Sequence, residues 1–358
     1  MSRGLFFGKF APLTTGHIAA IQKAATLVDE LFVVMCWDQK FQNTLTPELQ
    51  KVMTKRNRMM WLKDTFKHMS KIRVLCVDES PIQSYPDGSE DFTNLVRNEI
   101  FHSTGSRESP DMDKVFSSET EYSEYFQKYW PEAEHVLIDP PREFVDISAT
   151  RVRANPYEHW DKLAPAAHKH FVKKVCIIGV ESTGKSTLTI NLANHFSTQY
   201  VEEVGRTICE DEYHWSEDMM NIEDYEYVAM EHKVKEHKVA KTANKVMFSD
   251  TNNLITLFAA ECMGKTSTVL SQMAHAEDYD LVIMLDIDVP WVYDPLRLND
   301  SPERRSTTHD LLKFLCKAHG VKYHLISGSD YDERFKTAVQ MVQNLLQGTT
   351  NEHTGDES

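Results

Sequence analysis

The sequence has few cysteines and no long apolar run, and both absences exclude classes of protein. Its six cysteines are scattered through 358 residues, with no C-x-x-C pair and no close Cys/His spacing. This distribution argues against a disulfide framework and against a zinc knuckle, and it favours a reducing compartment. No stretch approaches the roughly 18 apolar residues that a membrane-spanning helix needs, and the N-terminus carries no signal-peptide pattern. A cytoplasmic protein without a membrane partner is therefore expected.

Positive charge is also scarce. The chain has 39 Lys and Arg residues against 54 Asp and Glu residues, which gives a net charge of −15. Such an acidic chain repels phosphodiester backbones, so non-specific binding of nucleic acid is not expected. A phosphate-bearing ligand would have to be held by donors placed locally in its site.

The length and the pattern of apolar runs predict an α/β protein with two parallel-sheet domains. A prior of about 100 to 200 residues per domain gives two domains, and two separate segments open with a short apolar run, a glycine-containing turn and a helical pattern. The domains are predicted over residues 1–165 and 171–347, separated by the Pro/Ala/His stretch 163–170. A disordered acidic tail is predicted over residues 348–358. Further strand candidates are residues 74–77, 115–116, 136–138, 246–248 and 281–285.

A phosphate-binding loop opens the second domain. Residues 179–186 read G-V-E-S-T-G-K-S, which matches G-x-x-x-x-G-K-[ST] between a strand pattern and a helix pattern. In such a loop the backbone N–H groups surround the β-phosphate, Lys185 reaches the β- and γ-phosphates, and Ser186 can bind Mg²⁺. The loop residues expected to bind ATP are Gly179, Ser182, Thr183, Gly184, Lys185, Ser186 and Thr187.

Carboxylates at predicted strand ends would complete this site. Asp250 ends an apolar strand at its carboxyl end, where ligands bind in open α/β sheets, and would hold Mg²⁺ or a substrate hydroxyl. Glu203 also ends a short strand and would accept a hydroxyl proton, while Arg206 would hold a sugar or a phosphate. The alternatives are a helix N-cap for Asp250 and a surface salt bridge for the other pair.

An arginine-bearing segment over residues 294–305 has the composition of a lid. Arg297 and Arg305 would bring guanidinium charge to the transferring phosphoryl group. Solvated loop arginines are the alternative interpretation of this segment.

The turn after the first predicted strand is a second phosphate site. Residues 8–17 read G-K-F-A-P-L-T-T-G-H, where Gly16 allows close approach of the backbone and His17 can donate to a phosphate oxygen. A later segment over residues 147–153 reads I-S-A-T-R-V-R and places Arg153 on a helix capped by hydroxyl side chains. The other residues expected to bind phosphate here are Gly8, Lys9, Phe10, Thr14, Ser148 and Thr150.

These motifs resemble those of a known enzyme family. Residues 8–17 resemble the G-x-F-x-P-x-H-x-G-H signature of nucleotidyltransferases, with Thr14 in place of the commoner His, and residues 147–153 resemble the I-S-x-T-x-x-R motif. Together with the P-loop the chain is similar to NadR-type bifunctional proteins. The resemblance implies a Rossmann-like nicotinamide-mononucleotide adenylyltransferase domain followed by a P-loop ribosylnicotinamide kinase domain. Only seven residues precede Gly8, so the helix-turn-helix that makes some members repressors is expected to be absent.

The resemblance also implies two consecutive reactions. Nicotinamide riboside would take the γ-phosphate of MgATP to give nicotinamide mononucleotide, whose phosphate would attack a second ATP to give NAD and pyrophosphate. The first step needs a base, and Glu203 and Asp250 are alternatives for it, with the other on Mg²⁺. The second step needs no base because its nucleophile is already ionised, so His17, Arg153, the helix N-terminus and Mg²⁺ would position groups and stabilise charge.

Two more residues would bind the riboside. Trp291 would stack on the cationic pyridinium ring, with a buried core position as the alternative, and Asp294 would lie in the same loop. Other functions stay open: a different acceptor such as phosphopantetheine, or a nucleotide-sensing regulator. The sequence does not indicate whether the chain forms a homo-oligomer.

Overall fold

The first half of the chain is built on a parallel sheet of five strands. In the computed structural model, which describes residues 1–105, 111–140, 145–291 and 302–348, its order is β3-β2-β1-β4-β5. The strands are β1 (Arg3–Gly8), β2 (Glu30–Trp37), β3 (Ile72–Asp78), β4 (Lys114–Ser117) and β5 (Glu134–Leu137). Because the strand order reverses at β1, the carboxyl end of this strand opens into the crevice where ligands bind in such sheets.

Eight helices accompany this sheet in the described part of the chain. They are α1 (Thr15–Ala25), α2 (Gln39–Asn43), α3 (Pro47–Val52), α4 (Lys55–Phe66), α5 (Ser89–Thr104), α6 (Ser123–Tyr129), α7 (Ala149–Ala154) and α8 (Pro165–Phe171). Strand β2 is buried at every residue, as expected for a central strand covered on both faces.

The second half repeats this plan with the strand order β10-β9-β6-β8-β7, again all parallel. The strands are β6 (Lys173–Ile178), β7 (Tyr200–Val201), β8 (Val246–Asp250), β9 (Leu281–Leu285) and β10 (His324–Ile326). The helices are α9 (Lys185–His195), α10 (Val204–Tyr213), α11 (Ile222–Ala240), α12 (Asn253–Cys262), α13 (Thr268–His275), α14 (Pro302–Ala318) and α15 (Tyr331–Gln347). Strand β6 is central, and its carboxyl end leads into the P-loop. The predicted fold class, two parallel-sheet α/β domains, is confirmed.

The stretch predicted to separate the domains is helical. Contacts divide the chain into the units Met1–Phe171 and Val172–Ser358, so α8 belongs to the first. Its His170 accepts a hydrogen bond at Nδ1 from Nε1 of the fully buried Trp61 on α4, at 2.9 Å. The Pro/Ala/His composition therefore marks a short helix packed on the first unit. Within the described ranges, no helix is both long and apolar enough to cross a membrane.

The second sheet is covered on one face by α9 and α15. Leu192 of α9 is fully buried against strand residues such as Val175 and Phe248, whereas Ile190 of the same helix is 39% exposed. The side chain of Leu192 therefore belongs to the hydrophobic core, whereas that of Ile190 does not.

We expect Leu192→Ala to lower the free energy of unfolding of the second unit by about 2–5 kcal/mol, because it removes buried methyl groups and leaves a cavity. The matched Ile190→Ala should change it by less than about 0.5 kcal/mol. Hydrogen exchange of the β6 and β8 amides in the full chain, followed through a urea series, measures both. Equal effects of the two substitutions would contradict this packing.

Candidate active sites

The P-loop needs glycine at both of its ends. Gly179 has φ +149° and Gly184 has φ +89°, in the region that side chains with a Cβ rarely adopt. A Cβ on Gly179 would also lie 3.0 Å from the Leu285 carbonyl oxygen of β9. The two glycines let the chain leave β6 sharply and begin α9 at Lys185, with its N-terminus at the loop.

Side chains of the P-loop fold over its own backbone. The Lys185 Nζ donates to the Val180 carbonyl at 3.1 Å, and the Thr183 hydroxyl donates to the same oxygen at 2.9 Å. Lys185 therefore reaches across the hollow of the loop, where it would meet β- and γ-phosphates. Ser186 and Thr187 have exposed side chains in the first turn of α9.

Arg305 of α14 holds the outside of this loop. Its Nη2 donates to the Ser182 carbonyl at 3.1 Å and its Nη1 to the Val289 carbonyl at 2.6 Å, and the residue is only 7% exposed. These hydrogen bonds of Arg305 go to backbone carbonyls, whereas the sequence predicted that its guanidinium binds the transferring phosphoryl group. Its neighbour Arg304 lines the cavity beside the loop. Arg297 and Asp294 lie outside the described residues.

Arg334 of α15 holds the loop at the next residue. Its Nη1 donates to the Thr183 carbonyl and its Nη2 to the Asp286 carbonyl, both at 3.1 Å, and it pairs with the Asp288 carboxylate. Arg334 is 3% exposed. Sequence analysis did not identify this residue, because nothing local in the sequence relates α15 to the P-loop.

Asp250 is a buried carboxylate at the carboxyl end of β8. Burial and the charge on Glu203 raise its pKa to about 6, against the lowering effects of Lys185, a hydrogen bond from Ser186, and Arg206. Its Oδ1 has no hydrogen-bond partner among the described residues. Asp250 is not the N-cap of α12, since Asn252 takes that position and accepts the Ile255 N–H.

Glu203 and Arg206 form an ion pair at the start of α10. Arg206 Nε lies 3.5 Å from Glu203 Oε2, and its Nη1 lies 3.5 Å from Glu210 Oε1. Glu203 and Arg206 also line the cavity next to the P-loop. Glu203 and Arg206 therefore form a salt bridge and also line the cavity, so the two interpretations of this pair are compatible.

The cavity beside the P-loop has a volume of about 610 Å³. Trp291 is half-buried and is not among the described residues that line it. Much of the remaining lining comes from segments that had not been identified as part of a site from the sequence. They contribute Cys209, Glu217, Met220, Tyr225, Val228, Ile255, Phe258, Ala259, Cys262 and Met263. The apolar run of α12 was the available signal for part of this lining.

In the first unit, Thr14 orients His17. Thr14 is the N-cap of α1, and its backbone N–H donates to His17 Nδ1 at 3.1 Å while its hydroxyl accepts the His17 N–H at 3.3 Å. The ring of Phe10, whose φ is +46°, packs edge-on against the imidazole with 5.3 Å between centroids. Thr14 thus uses its hydroxyl for capping, and Phe10 contributes packing.

Arg153 brings the second motif to the first. Its Nη1 donates to the Ala11 carbonyl at 2.5 Å and its Nη2 to the Thr150 hydroxyl at 2.8 Å, and burial lowers its pKa. Ser148 caps α7 by accepting the Arg151 N–H at 3.2 Å. A Cβ on Gly16 would lie 3.6 Å from Ile147 Cγ2, so the two motifs are adjacent at the start of α1.

Lys9 lies between two carboxylates. Its Nζ is 2.9 Å from Asp38 Oδ2 and 3.7 Å from Glu79 Oε1. Its carbonyl accepts from Arg58, which is fully buried on α4, and Arg58 also donates to the Cys36 carbonyl at 2.8 Å. Burial lowers the pKa of Arg58 to about 10. Arg58 was not identified from the sequence.

Comparisons with known proteins cover both units. Residues 5–155 match the cytidylyltransferase-like family, and this range runs from β1 to the residue after α7. Residues 174–334 match an AAA domain family. The chain is 32% identical over 346 residues to the trifunctional NAD biosynthesis/regulator protein NadR of Escherichia coli K12, covering 96% of this chain and 83% of that protein. The same values hold for NadR of Salmonella typhimurium LT2. A crystal structure of a NadR protein in complex with NR has a TM-score of 0.79 at 24% identity, covering 98% of each chain.

Arg305 and Arg334, which donate to the Ser182 and Thr183 carbonyls, form an arginine clamp on the P-loop. The clamp can be tested by removing one guanidinium. We expect Arg334→Met to weaken binding of a non-hydrolysable ATP analogue to the second unit by about tenfold, because it frees the Thr183 carbonyl and leaves Asp288 without its cation. Lys336→Met is the control, since the exposed Lys336 pairs only with Glu333 among its described contacts. Titration calorimetry on the full chain measures the affinity, with Lys185→Ala as the reference that reports binding to the first unit. An unchanged dissociation constant in Arg334→Met would contradict the clamp.

Proposed function

Because this chain belongs to the NadR family, we propose that its two units divide NAD synthesis between them, the P-loop unit phosphorylating nicotinamide riboside and the first unit adenylylating the product. The chain is a transferase of NAD biosynthesis that uses ATP, with nicotinamide-mononucleotide adenylyltransferase and ribosylnicotinamide kinase activities. One observation carries the proposed division: each central strand, β1 and β6, ends in its own phosphate-binding loop. We also propose a cytoplasmic location, supported by six free thiols.

We propose that Mg²⁺ acts in the kinase unit, held by Ser186 and Asp250. The buried Asp250 Oδ1 has no hydrogen-bond partner in the described residues, and the Ser186 hydroxyl bonds to the same carboxylate. Oxygen donors of this kind suit Mg²⁺, which takes one or two carboxylates and completes its shell with water and phosphate. When bound, the ion would supply positive charge to the β- and γ-phosphate oxygens.

The remaining kinase roles follow from the cavity. With Asp250 assigned to the metal, Glu203, which lines the cavity at the start of α10, would accept the proton of the riboside 5′-hydroxyl. Lys185 and the loop N–H groups would hold the phosphates of ATP, and Arg304, which also lines the cavity, would supply further positive charge. Arg206 would orient Glu203 through their ion pair.

In the transferase unit, the phosphate of nicotinamide mononucleotide would attack the α-phosphate of ATP, and pyrophosphate would leave. His17, oriented by Thr14, would donate to the phosphate oxygens as charge develops, and Arg153 would add positive charge beside the start of α1. The nucleophile is ionised at neutral pH, so these residues need only position and stabilise.

The division of labour is tested by blocking each site. Starting from nicotinamide riboside and MgATP, His17→Ala should accumulate nicotinamide mononucleotide, with NAD formation slowed about 100-fold or more. Lys185→Ala should make no mononucleotide, yet should convert supplied mononucleotide to NAD at the normal rate. Chromatography of the products over time measures both steps. If either substitution stops both steps, the assignment of one reaction to each unit is wrong.

The raised pKa of Asp250 predicts that the kinase loses activity at acid pH. Because its pKa is about 6 in the free protein, the carboxylate becomes protonated as the pH falls through that value and no longer attracts the metal. The kinase kcat/KM for MgATP should therefore decrease below about pH 6, since this parameter reports the free enzyme. Circular dichroism of the same protein over this pH range is the control, and it should show no unfolding. A kinase profile that stays flat down to about pH 5 would contradict the role of Asp250.

A further inference from the structure

One carboxylate of the kinase cavity has no role in the chemistry described above. Glu217 lies on the 3-10 turn Glu217–Met219 after α10 and lines the cavity. It accepts a hydrogen bond from the Tyr225 hydroxyl at 3.1 Å, which fixes its orientation from α11. No Lys, Arg or His of the described ranges forms an ion pair with it.

The charges around Glu217 are mostly negative. Burial raises the pKa of Glu217, and Glu181 and Glu203 raise it further, while the Tyr225 hydrogen bond and Lys265 lower it. Lys265 itself lies over the Tyr225 ring, 5.8 Å from the centroid. Taking this carboxylate out of water next to two others is costly unless a cation comes to it.

Glu217 lines the same cavity as Glu203, and Glu203 acts electrostatically on both Glu217 and Asp250. A nucleoside whose 5′-hydroxyl reaches Glu203 would therefore lie in the cavity that Glu217 lines, where its base can contact this carboxylate. The wall there is otherwise apolar or thiol-bearing, with Met220, Val228 and Cys209.

We propose that Glu217, held by Tyr225, selects acceptors with a positively charged ring. A flat cation fits an apolar wall that carries one unpaired carboxylate, and the pyridinium ring of nicotinamide riboside is such a cation. An uncharged base gains nothing from Glu217, and a ring that carries its own carboxylate is repelled by it. This inference rests on the proposed kinase function, and it assigns to Glu217 the discrimination between charged and uncharged rings.

The test compares two acceptors of the same shape and different charge. Nicotinamide riboside is cationic, and its 1,4-dihydro form is neutral. In Glu217→Gln the ratio of kcat/KM for the cationic over the neutral riboside should fall about tenfold, mainly through a higher KM for the cation. Asp218→Asn removes the same charge from the exposed neighbouring residue and should leave the ratio unchanged. Tyr225→Phe should lower the ratio to a smaller degree.

The remaining outcomes separate this proposal from its premise. An equal loss of activity towards both ribosides in Glu217→Gln, or a wild-type ratio near one, would overturn the charge-reading role. Phosphorylation of the neutral riboside by each variant shows that the kinase unit is folded, and adenylylation of supplied nicotinamide mononucleotide shows the same for the first unit. If the wild-type protein adenylylates mononucleotide but phosphorylates neither riboside, the proposed kinase function itself is wrong.

Discussion

Both phosphate loops depend on the same interaction, a guanidinium that donates to carbonyl oxygens of the loop. In the first unit the donors are Arg58 and Arg153, and in the second they are Arg305 and Arg334. Their loop acceptors are the carbonyls of Lys9, Ala11, Ser182 and Thr183, respectively. A loop whose carbonyls are engaged from outside can turn its N–H groups inward, where they form an anion-binding hollow. The arginines thus act on phosphate through the backbone as well as through their charge.

This arrangement explains how a chain of net charge −15 holds polyphosphates. The long-range field of the protein repels anions, but the buried guanidinium groups and the N-termini of α1 and α9 act over a few ångströms, where the surrounding solvent screens them little. Arg334 and Arg58 are almost completely buried, so their charges are neither exposed nor available for non-specific binding. Attraction to phosphate is therefore local, while the surface stays acidic.

The elements that local pattern determines were predictable from the sequence, and those that depend on distant contacts were not. The apolar runs located β3, β4, β5, β8 and β9, and the run before each phosphate loop located β1 and β6. Strand β10 has three residues and begins with a histidine, so no run marked it. Residues 47–68 have one continuous helical pattern but form two helices, because Thr54 caps a new one. The motifs placed His17, Lys185 and Asp250 at strand ends or helix starts. The arginine clamps could not be predicted, since Arg334 contacts a loop residue 151 positions away in sequence.

The kinase cavity is lined by groups of both signs, and this mixture bears on turnover. In the proposed reaction Lys185 and Arg304 would bind the triphosphate, whereas Glu203 and Glu217 would contact the acceptor. A cationic riboside would be attracted to these carboxylates before the reaction. Phosphorylation then adds about two negative charges to the same molecule beside Glu203, and like charges at close range repel. The carboxylates that hold the substrate therefore favour release of its product, and a site with uniformly positive walls would instead retain it.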